Sequence, residues 1–341
     1  MIDFGWTSAA AAAAAILVGG VARAETFTLE ATPQTVEWGQ YDAKATPALR
    51  IKSGDTVVFH TLITNSPTGL EGAGVPPDQV QPSLRRIFDE VKDRGPGGHI
   101  LTGPVFVEGA EPGDTLEVRI VKIDLDLPYA YNAFSYGSGA LPEEFPFRRM
   151  KVIPLDAAAG VARFGPGVAV PLHPFFGSMG VAPPPSIGRY DSTPPGLIGG
   201  NMDDHSLVVG TSVFFPVWTS GALFEVGDGH AGQGNGEVDI TALETSLVGT
   251  LQFILHKATH ETYPRAESPT HFIAMGFDDD VAEAARKAIR HMIDFLHEEK
   301  GLSREDAYML ISVAGDVEIT ELVDRNKGVH VMMPKAVFDA H

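Results

Sequence analysis

The residue types best suited to chemistry crowd into Gly199–Glu244. This stretch opens Gly199-Gly200-Asn201-Met202-Asp203 and later reaches Gly227-Asp228-Gly229-His230-Ala231-Gly232-Gln233-Gly234-Asn235-Gly236-Glu237. In extended backbone, residues two apart share a face, so Asn201 pairs with Asp203 and Asp228 with His230. A strand expected over Val213–Val217 would return the chain so that the two pairs face each other. One imidazole among several oxygen ligands suits zinc or another borderline cation, and oxygen ligands alone suit calcium. The same string also fits a tight hairpin in which Asp228 caps a turn and His230 simply packs. Asn201, Asp203, Gln233, Glu237 and Glu244 in the same stretch favour a site. The five glycines from Gly227 to Gly236 leave the backbone free to adopt positive φ and approach a ligand closely.

Other polar residues are read more plainly. His99 follows Gly95-Pro96-Gly97-Gly98 and is either a ligand or acid/base group or a solvated turn histidine. His60 alternates with apolar residues and reads as a strand-face residue. Glu143-Glu144 and Asp278-Asp279-Asp280 read as solvated loop or helix-start charges. Tyr129, Tyr131, Phe134 and Tyr136 form an aromatic cluster that could wall a small pocket.

The elements that must position these groups are mostly strands. Thr56–Leu62 and Thr115–Val121 alternate apolar and polar residues, and each follows a Gly-Asp-Thr turn. Pro/Gly-rich stretches, among them Asn65–Pro82 and Ser192–Gly200, punctuate the chain. Helices are expected near residues 83–91, 279–300 and 303–313. This pattern predicts a mainly β fold of sandwich or barrel-like kind with α+β character.

Composition narrows the chemistry. Among 341 residues, 44 acidic side chains against 25 basic give a net charge of −19, and no basic stripe interrupts it. Such a surface repels phosphate backbones and excludes nucleic-acid binding as the main role. The absence of cysteine excludes disulfides, thiolate nucleophiles, Cys-ligated zinc and iron–sulfur clusters. Any metal must therefore be held by His, carboxylate, amide or backbone groups.

Residues 1–24 read as a signal peptide. Ser8–Val18 is apolar but too short to span a membrane, and Ala22-Arg23-Ala24 offers a small-x-small cleavage site before Glu25. Met1–Trp6 lacks the usual basic residues, which a misplaced start codon would explain. The mature protein, residues 25–341, is therefore expected in the periplasm or secreted, soluble and off the membrane after cleavage.

The strings quoted above resemble those of the acetamidase/formamidase family. The resemblance extends through Pro216-Val217-Trp218, Gly221-Ala222-Leu223-Phe224 and Gly236-Glu237-Val238. It continues outward through Thr102–Asp114, Phe176-Gly177, Gly180-Val181-Ala182-Pro183 and Ser312-Val313-Ala314-Gly315-Asp316, covering most of residues 45–338. It implies a mainly β body over residues 25–341, divisible into two interleaved β subdomains, that hydrolyses a small aliphatic amide to carboxylate and ammonia. His271 sits where the family tends to carry histidine and would reach the pocket. The chain departs from the family pattern at Asn235, in place of Asp, and at Asp239-Ile240, in place of Cys-Gly. Both departures lie beside the candidate site and bear on the choice of substrate.

Without cysteine or a Gly-x-Ser-x-Gly elbow, an acyl-enzyme is disfavoured. A divalent metal, zinc before calcium, would lower the pKa of bound water to about 7 and polarise the carbonyl. Asp203, Asp228 and His230 are the expected ligands, with His99 a further one. Glu237 or Glu244 would carry the proton to the leaving amine, while Asn201 and Gln233 hydrogen-bond the carboxamide. A homo-oligomer is expected. The rival reading is an exported, metal-dependent small-molecule binding protein without turnover, although it would need no acid at Glu237 or Glu244.

Overall fold

The computed structural model describes Met1 and residues 24–338. The expected signal peptide therefore lies almost wholly outside the described residues. Two large sheets share the largest hydrophobic cluster of the described residues. The first has nine strands in the order Thr26–Leu29, Thr56–His60, Leu247–His256, Thr115–Leu125, Ser212–Pro216, Arg265–Glu267, His271–Asp278, Lys327–Pro334 and Asp316–Glu321. The second has eleven. Its main path runs Val168–Pro171, Val161–Gly165, Arg149–Asp156, Tyr129–Phe134, Glu244–Thr245, Phe224–His230, Phe175–Gly180 and Gly199–Asn201. Ile100–Val107 joins it by pairing with Phe224–His230, and carries Val36–Trp38 and Leu49–Ile51 on its far side.

Alternation builds the shared core. Val57 and Phe59 from one strand, and Leu247, Leu251 and Phe253 from another, point inward from the nine-stranded sheet. Phe224 from the eleven-stranded sheet meets Phe59, Phe215 and Phe253 at centroid distances of 6.0, 5.8 and 5.2 Å. Tilted and edge-on ring contacts of this kind add to the area they bury. The mainly β expectation, with α+β character, is what the fold shows.

Four α-helices decorate the sheets among the described residues: α1 (Pro67–Gly72), α2 (Pro82–Glu90), α3 (Val281–Lys300) and α4 (Arg304–Ala314). The last three fall where the sequence predicts them. Asp280 caps α3 by accepting from the backbone N–H groups of Ala282 and Glu283, and Gly301 closes it at φ 70°. Helix α1 falls inside the stretch read as a Pro/Gly-rich loop. Its six residues are too few to show a helical period, and Ser66 capping Gly69 with Pro67 at the first turn starts it. Helix α3 lies close against His271–Asp278: a Cβ on Gly276 would collide with the Ala284 carbonyl oxygen and the Ala288 nitrogen, so glycine is what allows the approach. Both C-terminal helices thus cover one end of the nine-stranded sheet.

Candidate active site

Adjacent strands of the eleven-stranded sheet assemble the site. Phe175–Gly180 runs between Gly199–Asn201 and Phe224–His230, placing Ser178 opposite Asn201 and Phe175 opposite His230. On the other side of its strand, His230 lies opposite Glu244. Sheet register alone therefore brings Asn201, His230 and Glu244 into one neighbourhood. Ser212–Pro216, expected to turn the two polar pairs towards each other, belongs to the opposite sheet; Phe175–Gly180 joins the pairs instead. Strand Val213–Val217 was the nearest apolar run in sequence, whereas the actual partner precedes both pairs.

Asn201 and Asp203 do meet, but not through extended alternation. The strand ends at Asn201, and Asp203 turns to φ 47°. Asp228 at 55° and Glu237 at 41° share this left-handed conformation. Residues other than glycine seldom adopt it, and such positions concentrate at functional sites.

His230 is the hub. Its ring is buried, with Nε2 3.4 Å from Asp228 Oδ2 and 3.3 Å from Glu244 Oε2, while Nδ1 lies 3.9 Å from Asp203 Oδ1. Phe175 stands edge-on to the ring, centroids 5.0 Å apart. The Asn201 amide nitrogen donates to Asp203 Oδ2 at 2.6 Å and to Asp324 Oδ2 at 2.8 Å, and its oxygen accepts from Ser178 at 2.6 Å. His99 closes the group from Ile100–Val107's end of the sheet. Its Nδ1 lies 3.0 Å from the Ser192 carbonyl oxygen, which can only accept. The Ser192 hydroxyl lies 3.1 Å from the same nitrogen, and Nε2 lies 3.7 Å from Asp228 Oδ2.

These groups floor a cavity of about 240 Å³ whose lining includes His99, Asn201, Asp228, Glu237, Glu244 and Asp324. Burial pushes Asp203 and Glu237 well above the ordinary carboxylate range, with Asp203 adding to the effect on Glu237. Burial also raises Glu244, against the pull of His230. Burial would raise Asp228 too, but His99 and His230 more than offset it and hold that carboxyl below its ordinary range. For His230, burial opposes the charge, yet Glu244 and Asp228 carry its pKa well above the ordinary value. Asp324 is pushed up to about 7 by burial, with Glu321 adding.

The donor set fits a divalent cation. Asp203–His230–Glu237 and Asp228–His230–Glu244 each bring three ligand atoms within 4.8 Å of one another, and every member is buried. Asp203 Oδ1 and His230 Nδ1 are buried with no hydrogen-bond partner, a state that burial otherwise penalises. Mixed nitrogen and oxygen donors suit a borderline ion better than a hard one.

The family model for the acetamidase/formamidase family matches residues 96–191 and 189–340. The chain belongs to the acetamidase/formamidase family. It is an amidohydrolase acting on linear amide C–N bonds. It is similar to the acetamidase of Mycolicibacterium smegmatis, with 25% identity over 299 residues, 63% of this chain and 73% of that protein. The formamidase of Methylophilus methylotrophus is 26% identical over 317 residues, 71% of this chain and 77% of the relative. Among solved structures, an acetamidase from Bacillus halodurans superposes with a TM-score of 0.77 at 30% identity, covering 92% of this chain and 98% of that one. A predicted acetamidase/formamidase from Thermoanaerobacter tengcongensis gives 0.80 at 26% identity, covering 93% and 98%.

In this amidohydrolase, the residues singled out from sequence are distributed unevenly. Asn201, Asp203, Asp228, His230, Glu237, Glu244 and His99 come together. Gln233 does not line the cavity: its Nε2 donates to the Asp203 backbone oxygen at 2.7 Å, so it holds the backbone at Asp203 rather than a carboxamide. Asn201 lines the cavity, but both of its N–H groups are committed to carboxylates, so it positions them. His271 lies on the nine-stranded sheet, bonded to Thr270 at 2.8 Å and away from the cavity. Of the four aromatics, Tyr131 lines the cavity, donating to the Thr64 carbonyl at 2.6 Å, while Tyr136 is exposed. Asp239 accepts from Asn132 at 3.1 Å, and its neighbour Ile240 lines the cavity. Sequence reasoning missed Asp324, which arrives on the turn between Asp316–Glu321 and Lys327–Pro334 and carries no local motif.

Proposed function

We propose that this amidohydrolase cleaves a short linear amide, of the size of formamide or acetamide, with water activated at a divalent cation held by His230 and its carboxylates. One observation carries the reading: both nitrogens of a buried His230 face carboxylates, and the two at Nε2, Asp228 and Glu244, line a cavity of about 240 Å³. That volume lies below the range typical for drug-sized ligands and fits a substrate of a few heavy atoms. Asp228 and Glu244 at Nε2 of His230, or Asp203 and Glu237 at its Nδ1, would hold the ion, with His99 beside Asp228 as a further donor. When bound, the cation supplies a lowered pKa for water and a polarised carbonyl. Imidazole nitrogen in the donor set favours zinc, and calcium is the alternative.

The chain's own residues do the rest. Asn201 holds Asp203 and Asp324 at fixed separation, and the Ser192 carbonyl and hydroxyl hold the His99 ring. Glu237 and Glu244 line the cavity, and one of them moves a proton from the attacking water to the departing nitrogen. Tyr131 and Ile240 give the cavity an aromatic and an apolar face. A binder without turnover would need neither buried acid. Ammonia release from formamide, acetamide and propionamide tests the reading, with activity expected on at least one of them. Tight amide binding with no release from any would favour the binding protein.

Export belongs to the same proposal. The small-x-small string before Glu25 and the net charge of −19 support a cleaved, soluble protein in the periplasm or outside the cell. N-terminal sequencing should find Glu25, and intact Met1 in the cytosol would refute it. A homo-oligomer is supported by the exposed Tyr136, Leu141, Phe145 and Phe147, an apolar surface that a second copy would cover. Sedimentation analysis distinguishes it from a monomer.

A further inference from the structure

Asp324 reaches the cavity from outside the sheet that builds it. It sits on the turn joining the last two strands of the nine-stranded sheet. That turn is fastened at several points. Glu321 Oε2 accepts from the backbone nitrogens of Val323 at 2.9 Å and Asp324 at 3.0 Å. Lys327 Nζ donates to the Asp324 carbonyl at 2.7 Å, and Asn326 donates to the Pro195 carbonyl at 2.9 Å. The side chain is only 7% exposed, and its Oδ2 is taken by Asn201. Asp324 lines the cavity, and among the described residues no protein donor engages Oδ1. A held carboxyl group therefore offers one oxygen to whatever enters, and above about pH 7 it does so as a carboxylate.

We propose that Asp324 recognises the amino end of the substrate by accepting an N–H of its –NH2 group, and that the same carboxylate repels the carboxylate product. This rests on the amide-hydrolysis reading and deepens it. Hydrolysis breaks the C–N bond and forms a C–O bond from water, so the amide and one water become a carboxylate and an ammonium ion. The substrate presents N–H donors where the product presents an oxygen with lone pairs and shared negative charge. A fixed carboxylate acceptor is matched to the first and opposed to the second. A site built to accept a substrate N–H strongly disfavours a ligand that lacks it, and hydrogen bonds to a charged acceptor are the stronger kind. Asp324 would thus select primary amides and speed the departure of the acid formed.

The Asp324→Asn variant tests this with effects of opposite sign. Asn201 still needs an acceptor, so the new amide keeps its oxygen there and turns its –NH2 into the cavity. KM for acetamide should rise about 10- to 100-fold, with a smaller fall in kcat. The inhibition constant for acetate should fall instead, because an attractive donor replaces a repelling carboxylate. Metal content should match that of the wild type, since Asp324 is not among the expected ligands. Asp324→Ala should raise KM similarly while removing the repulsion, and serves if the first variant folds poorly. A parallel rise in KM and in the acetate inhibition constant would show a structural role and overturn the proposal, as would no change in either. Failure of the wild type to release ammonia from any amide is a separate outcome that removes the reading beneath it.

Discussion

Gly177 lies across the sheet from Asp228, and a methyl group on it would stand 2.7 Å from Asp228 Oδ2 and 2.5 Å from Asp203 Oδ1. The same methyl would come within 2.7 Å of His230 Cε1. The glycine leaves the space in which the carboxylates and the imidazole converge. Gly177→Ala should therefore displace all three. We expect kcat/KM for the preferred amide to fall at least about 100-fold, with a stability loss of about 1–3 kcal/mol from overpacking. Steady-state assays beside thermal melts decide it, and a fully active Gly177→Ala enzyme would contradict this packing of the site.

His230→Ala should remove bound metal and activity together while the two-sheet fold survives. A merely packed histidine predicts the reverse, a stability loss of about 1–3 kcal/mol with chemistry intact. Because Glu244 and Asp228 favour the protonated ring, a proton competes with the ion for His230. Lowering the pH should therefore release metal and activity in step. Elemental analysis of the wild type and the variant across pH separates these outcomes.

Asn201 and Gln233 stand close in sequence yet should respond differently. Asn201→Ala leaves the Asp203 and Asp324 carboxylates without their common donor, so kcat/KM should fall about 100-fold or more. Gln233→Ala removes one hydrogen bond to a backbone oxygen. Its effect should be about 0.5–1.5 kcal/mol of stability and less than a tenfold change in rate. Equal kinetic losses in the two variants would refute the distinction.

A second buried imidazole, His330, offers a stability test away from the cavity. Burial opposes its charge, but Asp204 and Glu318 raise its pKa above the ordinary value. Its charged contribution is therefore fully present below about pH 6.5 and lost as pH rises through the folded value. His330 in turn holds Glu318 down to about 2, so that carboxylate contributes above its ordinary value of 4.5 and fades as pH falls towards 2. The melting-temperature gap between the wild type and His330→Gln should be widest near pH 5–6 and narrow on the alkaline side. A gap independent of pH would contradict the pairing.

Much of this site was legible because its residues are close in sequence. Asp228 and His230 share one strand, and the glycines around them announce backbone that bends and approaches. His99 was visible for a similar reason, following its own Gly-rich turn. The direction of Gln233 was not legible, because alternation fails beside residues in left-handed conformation such as Asp228 and Glu237. Asp324 was hidden differently. It lies 80 residues beyond Glu244 in an ordinary-looking Asp-Arg-Asn-Lys turn, and only tertiary packing brings it to the cavity. Strand existence followed from alternation at Thr56–His60 and Thr115–Leu125. Strand partnership did not, since pairing Phe175–Gly180 with Gly199–Asn201 and Phe224–His230 depends on the packing of the whole sheet.

The central claim is that amide hydrolysis here depends on an ion held at His230. The direct measurement is ammonia release from formamide, acetamide and propionamide, with metal content determined on the same samples before chelation, after exhaustive chelation and after return of Zn²⁺. The account predicts that activity disappears with the metal and returns with it. Full activity in protein shown to be free of metal would contradict it.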